Sequence, residues 1–182
     1  MRLPVVGGIP EPVGVNRHRS RVAGMEGVMT ISKKLRGYMD LCGTRYDEIM
    51  HEPAVETAKA AQAAHVPGRQ VAKGVLVQGR DGYMVAVLPA SKHVGFDFLK
   101  QWLSQDIALA DEGSTAALFP DCAPGAVPPV GAAFGLKTII DDDMMTDEDV
   151  YFDGGDHRTL VHMNAENWRR LQTGSGHCAF SI

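Results

Sequence analysis

Val71-Ala72-Lys73-Gly74-Val75-Leu76-Val77-Gln78-Gly79-Arg80-Asp81-Gly82-Tyr83-Met84-Val85-Ala86-Val87-Leu88 is the stretch on which the fold turns. Two runs rich in β-branched and aliphatic residues flank a polar Gly-Arg-Asp-Gly segment, and Asp81-Gly82 has the chemistry of a tight hairpin turn. The pattern predicts antiparallel strands over 71–78 and 83–88. Period-two alternation sets Val71, Lys73, Val75 and Val77 on one face and Ala72, Gly74 and Leu76 on the other. A lysine on an otherwise aliphatic face is the first anomaly. Its ammonium either snorkels to water at the strand end or meets an anionic ligand.

Working outward, Thr30 can cap a helix whose Ile31, Leu35, Tyr38 and Cys42 recur at helical spacing before Gly43. Tyr46 to Met50 reads as a strand, and Val55 to His65 as an Ala-rich helix ending at Pro67-Gly68. Helices are predicted for 96–103, 114–119 and 165–171, the last capped by Asn164, and strands for 107–110, 138–140, 150–152 and 159–163. Short strands and helices mixed without β-α-β repetition indicate an α+β domain rather than a doubly wound sheet. Residues 30–172 form the expected domain. Residues 1–29, with Pro4, Pro10, Pro12 and a short basic cluster, read as a disordered extension or the product of an over-early start, since Met25 and Met29 precede the periodic region. Residues 173–182 read as a flexible tail.

Composition narrows the function. The chain has 182 residues, 45% apolar, and no apolar run approaches the roughly 18 residues of a membrane span. Cys42, Cys122 and Cys178 lie far apart without zinc-ligand spacing, so neither a disulfide framework nor a metal is expected, and no secretion signal is read; a cytoplasmic protein follows. Residues 1–45 carry eight Lys/Arg against three Asp/Glu, whereas residues 105–182 carry four against thirteen. A net charge of -4 with this asymmetry argues against a general binder of duplex DNA and leaves room only for a local nucleic-acid contact.

Two further segments could carry chemistry. Asp121 to Gly131 is a stiff Pro/Gly loop that either connects two elements or offers backbone N–H groups to a ligand. Asp153-Gly154-Gly155-Asp156-His157 is a tight turn ending in a histidine, a surface residue or a proton shuttle. The acidic run Asp141 to Asp143 and Asp147 to Asp149 lacks calcium-loop spacing and reads as a solvated face. No G-x-S-x-G, P-loop, dinucleotide fingerprint or H-E-x-x-H occurs, so no protein nucleophile or metal is announced.

Taken together, Val71 to Val77, Gly125-Ala126-Val127-Pro128-Pro129, and Tyr151-Phe152 leading into Gly154-Gly155-Asp156-His157 resemble the YbaK/EbsC family of prolyl-tRNA-synthetase-associated editing domains. His51-Glu52-Pro53 with Thr57-Ala58, Ala86 to Ala90 and Val161-His162-Met163 support the likeness, which covers residues 32–171. The resemblance implies a mixed, barrel-like sheet flanked by helices and hydrolysis of the ester between an amino acid and the end of a mischarged tRNA, with no cofactor. By it, Lys73, Gly125 and His157 are catalytic, and Ala126, Val127, Pro128, Pro129, Gly155 and Thr57 bind substrate. It also implies the CCA end of tRNA as partner, an aminoacyl-tRNA synthetase as a further candidate, no membrane and no DNA. Lys33, Lys34, Arg36 and Arg80 could join Lys73 in a local basic patch. The same fold could also serve as a non-catalytic module holding tRNA or a synthetase, or act on other small esters. Alanine, cysteine or proline would be the expected amino acids.

Overall fold

The computed structural model describes residues 31–56, 59, 61–62, 64–145 and 148–182. The first 30 residues and, within the predicted helix over 55–65, residues 57, 58, 60 and 63 lie outside this set; of the others, Lys59, Ala61 and Gln62 are helical, whereas Val55, Glu56, Ala64 and His65 are not. The expected extension and the Thr30 cap are thus outside the described residues.

The hairpin forms the centre of an eight-stranded mixed sheet. Strand β2 (Val71–Gly79) pairs antiparallel with β3 (Gly82–Pro89) in the register Lys73 to Leu88 and Gly79 to Gly82. The two-residue turn is therefore Arg80-Asp81, one position earlier than expected, and Gly82, at φ 108°, opens β3. Alongside them run β1 (Asp47–Met50), β4 (Ile107–Leu109), β5 (Lys137–Asp141), β6 (Val150–Asp153), β7 (Thr159–Met163) and β8 (Gly176–Cys178). The order is β1-β7-β6-β2-β3-β5-β8, with β4 also on β2. One edge of β2 is shared: its start pairs parallel with β6 at Val71 and Ala72, and its end pairs antiparallel with β4 from Val77.

β2 and β3 are apolar on both faces because each face packs into its own core. Ala72, Leu76, Val85 and Val87 pack into a core with Leu35, Met39, Phe152 and Trp168, whereas Val77, Met84, Ala86 and Leu88 pack into a second core with Leu99, Ile107 and Phe180. A sheet covered on two sides needs helices on two sides. Helix α1 (Lys33–Leu41) and helix α4 (Ala165–Leu171) cover the first face; α2 (Phe96–Leu103) covers the second; α3 (Glu112–Leu118) follows β4. Ser32 caps α1 by accepting from the Leu35 amide, and Asn164 caps α4 as expected.

Two expectations need correction. The segment 173–182 is no loose tail: β8 pairs parallel with β5, Phe180 is 1% exposed, and Ser181 bridges to Val94. The acidic run is not all solvated either. Asp141 is buried, its carboxylate accepting from the amides of Asp143, Phe180 and Ser181 at 3.1, 2.8 and 2.6 Å.

Candidate active site

A small cleft opens where the start of β2 meets the Pro/Gly loop and the Asp153–His157 turn. Val55, Ala72, Lys73, Gly74, Gly125, Ala126, Val127, Pro129, Asp153 and His157 line about 40 Å³ of space. That admits a few waters or a small chemical group, and is far below the roughly 300 Å³ or more of a site that swallows a drug-sized ligand. The structure thus brings Lys73, Gly125 and His157 to one place, with Ala126, Val127 and Pro129. Pro128 and Gly155 pack together just beneath, a Cβ on Gly155 lying 3.5 Å from Pro128 Cγ and 2.9 Å from Cys122 Sγ. Thr57 lies outside the described residues.

Lys73 is half-buried, and burial holds its amine below the usual lysine range. Its ammonium donates to the carbonyl of Lys92, and it takes part in no ion pair among the described residues. A half-buried cation beside the cleft that no carboxylate pairs keeps its charge available for an anion.

The loop is held at its ends and free at its apex. Ala123 N–H donates to Gly155 O at 2.7 Å, His157 Nε2 donates to Pro124 O at 2.9 Å, and Gln172 Nε2 donates to Pro129 O at 2.7 Å. Ala126 N–H turns inward to Ala123 O at 2.9 Å. The amides of Gly125 and Val127 have no hydrogen-bond partner among the described residues. Gly125, at φ 79°, takes the left-handed conformation that lets the chain reverse here.

His157 serves this loop rather than accepting protons. Its Nδ1 faces Asp153 Oδ2 at 3.3 Å while Nε2 faces a backbone carbonyl, and both partners are acceptors. Satisfying both requires a proton on each ring nitrogen. The Asp153 carboxylate and the Pro124 carbonyl accordingly raise the imidazole's pKa above its ordinary value against the opposing effect of burial. The sequence left a surface residue or a proton shuttle; the ring is buried, and the geometry gives a clamp, set in the left-handed region at φ 58°. Asp156 and Asp153 build the turn itself: Asp156 accepts from the Arg158 and Thr159 amides and the Thr159 hydroxyl, and Asp153 accepts from the Gly155 amide at 2.6 Å.

Three contributors were missed from sequence. Gly74 meets the loop with no room to spare, since a Cβ there would lie 2.5 Å from Val127 O; a glycine inside a strand was the available signal. Asp153 orients His157, and Val55 walls the cleft; the sequence marked the first only as part of a turn and the second only as the start of a helix. The basic patch shrinks. Arg36 pairs with Glu48 at 3.0 Å, and Arg80 sits at the hairpin turn, seven residues or roughly 20 Å along β2 from Lys73. Lys33 and Lys34 remain exposed on α1, with Lys34 Nζ 6.0 Å from the Phe134 ring centroid. Cys122 is no nucleophile, because burial and then the Asp121 charge push its thiol up to about 12.

The residues lining the cleft fall within a stretch that a known family matches. The family of aminoacyl-tRNA editing domains matches residues 51–171. A proline--tRNA ligase of Thermosipho africanus is 32% identical over 66 residues, covering 35% of this chain and 12% of that ligase; a second, from Thermosipho melanesiensis, is 33% identical over 57 residues, 31% and 10% of the two chains. The matched stretch is therefore a small part of those ligases. Among solved structures, a candidate trans-editing enzyme for prolyl-tRNA synthetase superposes with a TM-score of 0.71 at 22% identity over 84% of this chain and 99% of that one. The hypothetical protein APE2540 gives 0.72 at 21% over 82% and 100%. At these identities the structural likeness establishes the fold. No helix among the described residues is long and apolar enough to cross a membrane.

Proposed function

The chain belongs to the aminoacyl-tRNA editing domain family, and from that premise we propose that it is a cytoplasmic deacylase hydrolysing the ester of mischarged tRNA in trans. The observation that carries this reading is a cleft lined both by a half-buried Lys73 that no carboxylate pairs and by a loop apex whose Gly125 and Val127 amides have no protein partner among the described residues. An ester carbonyl placed there would find two donors for the oxyanion that forms when it is attacked. Lys73 would bind a terminal phosphate and lend positive potential to the same point.

Water is the nucleophile in this reading. Its oxygen bonds to the carbonyl carbon, the bond from that carbon to the ribose oxygen breaks, and a proton passes from the water to the departing ribose oxygen. The neighbouring ribose hydroxyl orients the water, so the protein needs neither serine nor thiolate. His157 takes no part in the proton transfer, because both ring nitrogens are committed to protein acceptors; it and Asp153 keep the apex aimed. Ala72, Ala126, Val127 and Pro129 leave space for a small side chain, which supports alanine, cysteine or proline as the released amino acid. The CCA end is single-stranded and is held by a few local contacts, so a chain with net charge -4 can bind it through Lys73 and the exposed Lys33 and Lys34.

The test is a panel of tRNAs charged with Ala, Cys, Ser or Pro, assayed side by side for amino-acid release. Release above the buffer rate from at least one of them is expected. Binding without release from any would replace the deacylase with a module that only holds tRNA or a synthetase, and equal turnover of short aminoacyl esters would mean that tRNA is not the substrate.

A further inference from the structure

The Lys73 ammonium rests on the Lys92 carbonyl, and that carbonyl belongs to a surface segment with little support of its own. Between Pro89 and α2 the Lys92 amide returns to Pro89 O at 3.0 Å. Ala90 N–H also donates to Val71 O at 2.7 Å, and residues 93–95 are held from the far end of the chain. His93 N–H donates to Ile182 O at 2.8 Å, Ile182 N–H donates to His93 O at 2.9 Å, and Gly95 N–H donates to Phe180 O at 2.8 Å. Residues 180–182 thus act as a short strap across 93–95.

The strap is fastened at Asp141. One oxygen of this buried carboxylate accepts from both the Phe180 and Ser181 amides, and the other accepts from Asp143 N–H at 3.1 Å. Asp143 in turn pairs with Lys92 Nζ at 2.5 Å. Two independent routes therefore run from Asp141 to Lys92, one through the strap to the backbone and one through Asp143 to the side chain. A buried carboxylate is costly unless its hydrogen bonds are made, so the strap and the carboxylate hold each other.

We infer that Asp141 is a positioning residue for the Lys73 ammonium, fixing the Lys92 carbonyl on which that ammonium is seated. Its effect on catalysis rests on the deacylase reading, whereas its effect on the amine does not. Asp141→Asn removes the charge and replaces one of the two acceptor oxygens with an NH2 donor, so that either the strap amides or the Asp143 amide loses its acceptor. Asp143→Ala, at an exposed position, cuts only the side-chain route.

The experiment is lysine acylation with acetic anhydride in limiting amount on the full chain, followed residue by residue by mass spectrometry, with the exposed Lys33 as internal reference. Asp141→Asn should raise labelling of Lys73 relative to Lys33 several-fold, and Asp143→Ala should raise it less. A merely structural role would shift labelling across many lysines or lower the melting temperature without singling out Lys73. In parallel, single-turnover deacylation by Asp141→Asn at saturating enzyme should fall about tenfold, as expected for a displaced rather than missing group. Wild-type labelling of Lys73 in folded Asp141→Asn, or in Asp143→Ala should the first variant not fold, overturns the inference. A wild-type protein that releases no amino acid sinks the deacylase reading and leaves the labelling to decide the positioning role.

Discussion

Gly74→Ala is the sharpest test of the site, because the perturbation is one methyl group and its consequence can be worked out. The added Cβ would lie 2.5 Å from Val127 O, 3.0 Å from Val127 Cγ1 and 3.2 Å from Pro128 O, where ordinary contact begins near 3.4 Å. The shortfall against Val127 O is 0.9 Å, and the obstacle is backbone, so no side chain can swing aside. The loop cannot drift as a body, since His157 holds Pro124 O and Gln172 holds Pro129 O. Either the apex moves by nearly an ångström or β2 bows away from it. Overpacking of this kind costs about 1–3 kcal/mol, partly offset by about 0.4–1 kcal/mol from restricting the unfolded chain. For a chain of this size the melting temperature should then drop by a few degrees, at about 2–4 °C per kcal/mol. The catalytic loss should be far larger than that suggests: moving the Gly125 and Val127 amides by such a distance costs about 10²-fold in rate. Single-turnover hydrolysis at saturating enzyme, run well below the melting temperature, reads the effect. A rate within threefold of wild type, in a variant whose melting temperature has fallen, would show that the loop apex is not what stabilises the transition state.

Lys73→Ala should lower the single-turnover rate by about 10²-fold or more, comparable with removing one transition-state donor, and Lys73→Arg should recover only part of it because the fork cannot occupy the same seat. His157→Asn keeps a residue that tolerates the left-handed backbone and removes the clamp. Since Asp153 raises the imidazole's folded pKa, its stabilisation is fully present below the unfolded value near 6.5 and is lost as pH rises through the higher folded value. The gap in melting temperature between wild type and His157→Asn should accordingly be wide near about pH 5.5 and narrow toward about pH 9; a gap that does not change with pH would mean the ring is neutral. Cys122→Ala should leave hydrolysis within about threefold of wild type, since a thiol pushed up to about 12 stays protonated at neutral pH. Inactivation by that substitution, with the fold intact on melting, would point to a sulfur nucleophile in place of water.

What the sequence disclosed and what it hid follow from the range of the forces involved. The β2–β3 hairpin was legible because alternation and a Gly-Arg-Asp-Gly turn are local signals, and even there the turn fell one residue early because Gly82 can open a strand as readily as end a turn. Lys73 stood out for the same reason: a charge among Val71, Val75 and Val77 needs only strand periodicity to be noticed. β8 was illegible because Gly176-His177-Cys178 has no period; it is a strand only because β5 offers an unpaired edge at Ile139 to Asp141. Asp141 was misread alongside Asp142 and Asp143, since neighbouring carboxylates look alike in sequence and only the arriving amides of Phe180 and Ser181 make one of them a buried anchor. His157 had the right residue type for two jobs, and the choice between them rests on Pro124, 33 positions away, presenting a carbonyl to the second ring nitrogen. The loop shows the same division. Its stiffness was written in Pro124, Pro128 and Pro129, but which amides stay unpaired depends on Ala126 turning inward to Ala123 and on Gly74 lying bare beneath Val127. Chemistry that rests on unpaired backbone leaves little trace in residue identity except where glycine makes room for it. Gly74, where a Cβ would meet Val127 O, and Gly125, whose φ of 79° strains any side chain, are therefore the positions at which a single methyl group most directly separates an active loop from an inert connector.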